Sequence, residues 1–236
     1  MWNKGLIISF VSLIACGPAL AQEQWSSSVG LRGWYQTWKG NGPGLSITDR
    51  STNVLTHLDN DPTLAIIPFA SVRSEKWGVA GSTMLRKNYH GTDGAFVLDQ
   101  NRREYDINAL YYFLPSASVS VGYKNFQWGD TLGGQTTIDG PTVALSASAP
   151  LSDSLGLYST IGYGALRGKS TNLPRKSTSY VLLDAGFSYS FGGVVGKNLA
   201  LTAGYRYQQL VIKQLTVNRD FWDQTSGFTV GVVATF

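Results

Sequence analysis

The sequence predicts an all-β fold: a closed, antiparallel, up-and-down β-barrel of about ten strands, with roughly eight strands as the alternative. Three observations lead to this prediction. Segment after segment alternates apolar with polar or small residues at a period of two, which is typical of strands with two different faces. The gaps between segments are alternately long and short. Charged residues make up only 14% of the chain, so a charged surface does not cover this fold.

The predicted strands follow one another from residue 26 to the end of the chain. Each even-numbered segment up to the eighth is followed by a short, turn-like gap, whereas the gaps after odd-numbered segments are longer and polar. This pattern is typical of strands that run alternately up and down. The segments lie near 26–39, 63–73, 77–87, 103–114, 117–128, 141–150, 154–166, 179–191, 198–211 and 225–236.

The seventh segment shows the two faces clearly. It carries Leu157 and Ile161 on one face and Gly156 and Thr160 on the other. A soluble β-sandwich would normally place Lys and Glu on its polar face, whereas Gly, Ser and Thr dominate here. We therefore predict a transmembrane barrel, in which the apolar face meets lipid and closure pairs the backbone groups that hydrocarbon cannot satisfy.

The amino-terminal residues have the pattern of a cleaved secretory signal peptide. Lys4 supplies the positive charge, an apolar stretch follows, and Ala21 ends an Ala-x-Ala cleavage motif. A second processing site stays open, because the residues before Cys16 resemble a bacterial lipobox, in which that cysteine would be lipidated. We assign residues 1–21 to the signal peptide and residues 22–236 to one barrel domain.

The carboxyl-terminal segment carries the most specific motif. A glycine followed by alternating apolar positions and a final aromatic residue is matched by Gly231, Ala234 and Phe236, although a larger residue is commoner at the alanine position. The motif resembles the terminal assembly signal of bacterial outer-membrane β-barrel proteins. That resemblance implies short periplasmic turns, longer extracellular loops, a location in the outer membrane, and insertion by the barrel-assembly machinery. We expect a monomer among outer-membrane lipids.

Aromatic residues near the strand ends fit the interfacial girdles of such barrels. Anchoring in the membrane interface is the expected use of these rings, with carbohydrate stacking as the alternative. The girdle candidates are Trp34, Tyr35, Trp38, Trp77, Trp128, Phe221 and Trp222.

Extrapolating the alternation places polar and charged side chains in the lumen, where five cations face three anions. Two interpretations stay open: a salt-bridged network that fills the barrel, or a narrow passage that favours anions. Barrels of roughly eight strands are filled by side chains and open channels have about sixteen, so we prefer the filled lumen. The network candidates are Arg32, Arg86, Glu104, Asp106, Lys124, Asp184 and Arg206, and the same face carries Gln36, Arg73, Asn108 and Gln208.

The predicted extracellular loops are basic. Lipopolysaccharide phosphates lie at that surface, and arginine and lysine pair well with phosphate oxygens. We therefore expect lipopolysaccharide contacts, with simple solubility of the loops as the alternative. The candidates are Arg167, Lys169, Arg175 and Lys176, and Arg102 is assigned to another basic loop just before the fourth strand.

Catalysis finds little support in the sequence. His57 lies near Asp59 and Asp61, and His90 lies near Asp93, so either group could supply acid-base chemistry at the rim. Omptin proteases, barrels of about ten strands, use Asp/His chemistry there, but none of their catalytic motifs can be placed on this sequence. Phosphate-cradling glycine loops and Cys/His metal spacing are not found, so no cofactor or metal is implied.

Three function classes follow, in order of preference: a structural or surface-interaction barrel with a filled lumen, a narrow anion-preferring channel, and a rim-located hydrolase. Nucleic-acid binding is not supported, because the positive side chains behind the net charge of +4 are scattered along the chain.

Overall fold

A computed structural model provides the structure of the protein and describes residues 25–43, 55–93, 96–130, 135–170, 173–194, 197–213 and 220–236. The expected signal peptide and the alternative lipid attachment at Cys16 lie outside the described residues. Within those residues there is no helix long and apolar enough to cross a membrane. The strands are β1 (Ser26–Pro43), β2 (Leu55–Asn60), β3 (Thr63–Arg73), β4 (Trp77–Asp93), β5 (Phe96–Leu114), β6 (Ala117–Asp130), β7 (Gln135–Pro150), β8 (Leu155–Ser170), β9 (Leu173–Val194), β10 (Lys197–Ile212) and β11 (Phe221–Thr235).

The strands form one closed antiparallel barrel. From β4 onward each strand pairs with its sequence neighbours, and the last strand pairs with the first from Ser28 opposite Thr235 to Asn41 opposite Trp222. Backbone bonds of 3.2 and 2.8 Å between Ser27 and Phe236 complete this seam. Closure pairs the first strand with the last, as a hydrocarbon environment requires, whereas β3 and β4 pair only from Phe69 opposite Ser82 to Arg73 opposite Gly78. The predicted fold is confirmed.

The short strand β2 extends the line of β3 toward the long-loop end. Asp59 of β2 pairs with Thr92 of β4, and Phe69 of β3 pairs with Ser82 in the same register. Asp61 and Pro62 separate the two strands, and proline cannot donate a ladder hydrogen bond. In the described part of the chain the barrel therefore has ten strands, one of which is interrupted.

The strands reach further toward the long-loop end than the alternation predicts. Strand β9 begins at Leu173, where the prediction begins at 179, and β5 begins at Phe96, where the prediction begins at 103. A β-strand crosses a bilayer in about 9–11 residues, so the extra length stands beyond that thickness. Both faces of a strand can be polar there, which removes the apolar alternation on which the prediction depends.

The outer wall of the barrel is apolar. Val121 on β6, Ile161 on β8 and Val230 on β11 expose 60%, 55% and 63% of their surface, and similar residues recur around the barrel. A soluble monomer rarely exposes a continuous apolar surface larger than a few hundred Å². Aromatic rings edge this wall at the short-turn end, namely Trp25, Trp77, Phe113, Phe191 and Phe236.

Inward-facing side chains fill the interior. They include two apolar groups on different sides of the lumen, and charged residues lie among them. The first group is Phe126, Ile138, Leu166, Tyr180 and Leu210, and the second is Trp34, Ala65, Ile67 and Met84.

The interior corrects part of the girdle prediction. Trp34 and Trp38 are buried in the lumen, and Trp128 packs against the first apolar group there. By contrast, Tyr35 and Trp77 expose more than half of their surface. The alternation explains the difference, because residues an even number apart on β1 share the inner face.

Candidate functional site

The centre of the candidate site is Arg102 on β5, whose side chain is only 1% exposed. Its guanidinium lies 2.9 Å from Glu104 Oε1 and 3.2 Å from Asp223 Oδ1. It also donates to the hydroxyl of Thr225 at 2.9 Å, and the indole of Trp38 donates to the other oxygen of Asp223 at 2.5 Å. Arginine can serve two carboxylates at once because its planar group has five donors.

Aromatic rings surround this guanidinium. Its central carbon lies 5.1 Å from the ring centre of Trp38, 5.3 Å from that of Phe126 and 5.9 Å from that of Trp128. A desolvated cation within about 6 Å of an aromatic face gains electrostatic stabilisation from the ring. The rings also hold the charged group away from water, which strengthens its two ion pairs.

Glu104 extends the network across the lumen. Its second oxygen lies 3.0 Å from Lys124 Nζ, and the amide of Gln208 donates to its first oxygen at 2.7 Å. Lys124 in turn lies 3.2 Å from Asp106, which also accepts from Asn108 at 3.1 Å. Alternate residues of β5 thus supply Arg102, Glu104, Asp106 and Asn108 to one face, as the period of two requires.

A second group of charges lies on strands β1, β9 and β10. Asp184 is 2.5 Å from Arg32 and 3.6 Å from Arg206. The guanidinium carbon of Arg206 lies 5.2 Å from the ring centre of Trp34. The register places Arg206 directly opposite Asp184, so the ion pair follows from strand pairing.

The two groups together balance their charges. Among the described residues, the four cations Arg32, Arg102, Lys124 and Arg206 form lumenal ion pairs with the four anions Glu104, Asp106, Asp184 and Asp223. The excess of lumenal cations counted from the sequence therefore does not hold for this network. Burying charges is costly unless each is paired, and a balanced set meets that condition.

Arg86 corrects the sequence-based list of lumenal residues. Its side chain is exposed, and no ion pair within the described part of the chain includes it. The register between β4 and β5 shifts between Met84 and Lys87, and such a β-bulge changes which side of the wall the following residues face. Arg73 lies at the short-turn end, where it stacks 3.7 Å over the ring of Tyr112 and donates to the carbonyl of Pro115 at 3.0 Å.

Sequence reasoning missed Arg102 and Asp223, which the structure places at the centre of the site. Arg102 precedes Glu104 by two residues, and Asp223 precedes the buried Thr225 by two. Continuing the alternation one step beyond the predicted strand ends would have put both side chains inside. Gln36, another lumenal residue, donates to the hydroxyl of Tyr89 at 2.5 Å.

The clusters expected around the rim histidines stay predictions. His90 lies 2.6 Å from Asp99, its cross-strand partner, and their side chains are 71% and 45% exposed on the outer side of the wall. Asp59 pairs with Lys39 at 3.2 Å. The side chains of His57 and Asp93 lie outside the described residues. Among the described residues, no group of three or more His, Cys, Asp or Glu side chains has a geometry that could hold a metal ion.

The carboxyl-terminal motif lies on the closing strand β11. Gly231 faces the interior opposite Arg32, whereas the side chain of Phe236 is half exposed on the outer wall. Recognition of Gly231, Ala234 and Phe236 by an assembly machinery stays a prediction.

Three solved structures illustrate what this chain is similar to. The outer membrane protease OmpT from Escherichia coli matches with a TM-score of 0.53 and 11% identity, over 93% of this chain and 99% of that chain. The attachment invasion locus protein Ail of Yersinia pestis has 14% identity and a TM-score of 0.35, over 90% of this chain and 99% of that chain. The Pseudomonas putida toluene transporter TodX has 8% identity and a TM-score of 0.33, over 91% of this chain and 90% of that chain.

No protein-family model and no curated protein matches the sequence. At 11% identity the likeness to OmpT concerns the fold alone. Over the described residues the chain is thus a closed ten-stranded antiparallel β-barrel, and its fold is similar to that of the outer membrane protease OmpT.

Proposed function

We propose that the protein is an integral outer-membrane β-barrel with a filled lumen, whose role is structural or lies in surface interaction and not in conduction. The single observation that carries this proposal is the burial of Arg102 between two carboxylates and three aromatic rings inside the barrel. Because only 1% of this side chain is exposed, the groups around it leave no room for water beside the guanidinium.

The energetics of the network support a plug that is permanent. Removing one partner from a buried ion pair costs about 3–5 kcal/mol, because the remaining charge is left uncompensated. Opening a passage past Arg102 would require breaking its ion pairs with both Glu104 and Asp223. The apolar outer wall supports the membrane location, because strands with this surface need a hydrocarbon solvent.

The competing function is a narrow channel that prefers anions. Its basis in the sequence was an excess of lumenal cations, and the paired cations and anions of the described network weaken that basis. Selectivity in a pore requires charges that permeating ions can reach.

Single-channel recording of the refolded protein in a planar bilayer separates the two functions. We expect no steady conductance from the native chain. The triple variant Arg102→Ser, Glu104→Ser and Lys124→Ser removes the centre of the network and is expected to conduct. Arg86→Gln serves as the matched control, because its charge lies on the outer wall, and it should stay silent.

Steady openings of the native protein with an anion-selective reversal potential would overturn the filled-lumen proposal. If the protein is a channel, Arg32→Gln and Arg206→Gln should reduce its selectivity for anions.

A further inference from the structure

A cavity of about 1040 Å³ opens on the outer wall of the barrel, across strands β6 to β9. Its volume matches the upper end of the range of small-molecule pockets, which is about 300–1,000 Å³. It lies toward the long-loop end, because Arg167 and Lys169 stand on the upper part of β8 and Lys176 on the upper part of β9.

An interruption of the ladder between β7 and β8 lies at the floor of this cavity. Strands β7 and β8 pair from Asp139 opposite Arg167 and again from Thr142 opposite Gly164, but not at Gly140 and Pro141 between them. Proline has no backbone donor, and Gly140 has a φ of 154° that L side chains rarely adopt. A Cβ at Gly140 would lie 2.9 Å from the carbonyl oxygen of Ala165, so the sequence at this break is tightly restricted.

Three cations line the cavity without carboxylate partners. Arg167, Lys169 and Lys176 form no ion pair among the residues that the structure describes. Asp139 stands opposite Arg167 on the neighbouring strand, but its carboxylate accepts a hydrogen bond from the hydroxyl of Tyr123. The site therefore holds an excess of positive charge, which selects an anionic ligand.

Lys176 differs from the other two cations because it is only 9% exposed. The register places it opposite Gly168, on the inner face of the wall, and yet it lines the outer cavity. A buried ammonium is costly without an anion nearby.

An exposed apolar row lies directly below the cavity. Val121, Val143 and Tyr163 are cross-strand neighbours two residues below Tyr123, Pro141 and Ala165. Each of them exposes at least half of its surface on the outer wall. An occupant can therefore place an anionic group against the cations and lay hydrocarbon chains along this row.

We propose that this cavity binds a phosphorylated, acylated glycolipid of the surrounding leaflet, the chemistry of lipopolysaccharide. Arg167, Lys169 and Lys176 hold its phosphate, and its acyl chains lie on the apolar row below. The side chain of Arg175, the fourth basic residue of this hairpin, lies outside the described residues. This site is independent of whether the lumen is filled.

Binding is measured with the full-length refolded barrel in a neutral detergent, by titration with labelled lipopolysaccharide. We expect the triple variant Arg167→Gln, Lys169→Gln and Lys176→Gln to raise the apparent Kd about tenfold or more. The matched control Lys76→Gln, Arg86→Gln and Lys213→Gln removes the same charge from exposed positions elsewhere, and it should bind as the native protein does. Ala165→Trp keeps every cation, fills the cavity and should also weaken binding.

Two further ligands identify the source of the phosphate. Inorganic phosphate should not displace lipopolysaccharide, and dephosphorylated lipopolysaccharide should bind about tenfold more weakly or worse. Equal binding by the two triple variants would overturn the site, because only general charge would then matter. Displacement by millimolar phosphate would overturn the lipid assignment and leave a site for free phosphate.

Discussion

At the scale of single residues, Arg102 lies at the centre of the lumenal network of ion pairs. It joins Glu104 on its own strand to Asp223 on β11, so one guanidinium ties together distant parts of the barrel wall. Each carboxylate depends on it, because the lumen offers little water to solvate a free charge. Lys124 compensates Glu104 in part, whereas Asp223 has no second cation among the described residues.

This arrangement predicts the effect of Arg102→Met, which keeps the length of the side chain and removes its charge. We expect the free energy of unfolding to fall by about 3–5 kcal/mol, as for other broken buried pairs. Urea titration of the refolded barrel measures the change. Adding Asp223→Asn should restore part of the loss, because the uncompensated carboxylate is then neutral.

The control for this prediction is Lys39→Gln, which breaks the exposed pair with Asp59. Exposed pairs contribute about 0–1 kcal/mol, so this variant should unfold close to the native midpoint. Equal losses in Arg102→Met and Lys39→Gln would contradict the assignment of Arg102 as the centre of the network.

At the scale of elements, the lower and upper parts of a strand carry different residue types because their surroundings differ. The lower part alternates between the apolar outer wall and the lumen, and on several strands the upper part carries polar residues on both faces. Strand β8 shows both parts, with exposed Ile161 and Tyr163 below and exposed Arg167 and Lys169 above. The change between them marks the level at which hydrocarbon gives way to headgroups.

This division predicts a large cost for Val121→Arg. Val121 is 60% exposed, and in water such a surface substitution changes stability by about 0.5 kcal/mol or less. In a bilayer an arginine on the lipid face costs about 2–4 kcal/mol near the midplane. Unfolding of the native protein and of Val121→Arg in lipid vesicles measures the difference in their free energies of unfolding.

Ser116→Arg is the matched control, since the short turn at Ser116 lies beyond the apolar wall and the same residue is introduced. It should leave stability nearly unchanged. A Val121→Arg variant as stable as this control would mean that the outer wall faces water.

At the scale of the whole molecule, the pairing of β1 with β11 brings both ends of the barrel chain to the short-turn end. In outer-membrane barrels that end faces the periplasm. We therefore expect the long hairpins, with the basic cavity and the His90–Asp99 pair, to face the cell exterior.

Cysteine labelling in intact Gram-negative cells tests this orientation. Asp61→Cys at the long-loop end should react with a maleimide carried on a polymer too large to cross the outer membrane. Ser152→Cys in a short turn should react only after the outer membrane is permeabilised. The reverse pattern would place the basic cavity on the periplasmic side and contradict the orientation.

Much of the fold could be predicted from the sequence because strand alternation is local. The lower ends of nearly all strands and the tight turns after them agree with the pattern, since an apolar wall and a small-residue lumen leave a signal at a period of two. The upper ends could not be predicted, because Gln135 to Gly140 on β7 and similar segments have no apolar face. The β-bulge on β4 places Arg86 outside the lumen, and the alternation of residue types gives no sign of this bulge.

By itself, the sequence determined that this chain is a barrel of about ten strands, and which face of most strands forms the apolar outer wall, because both depend on residues two apart. Only the tertiary structure decided which charges meet. Arg102 and Asp223 lie 121 positions apart in the chain, and the pairing of β8 with β9 brings cations from two strands to one cavity. Register and closure bring such residues together, and these are properties of the whole sheet that no single segment carries.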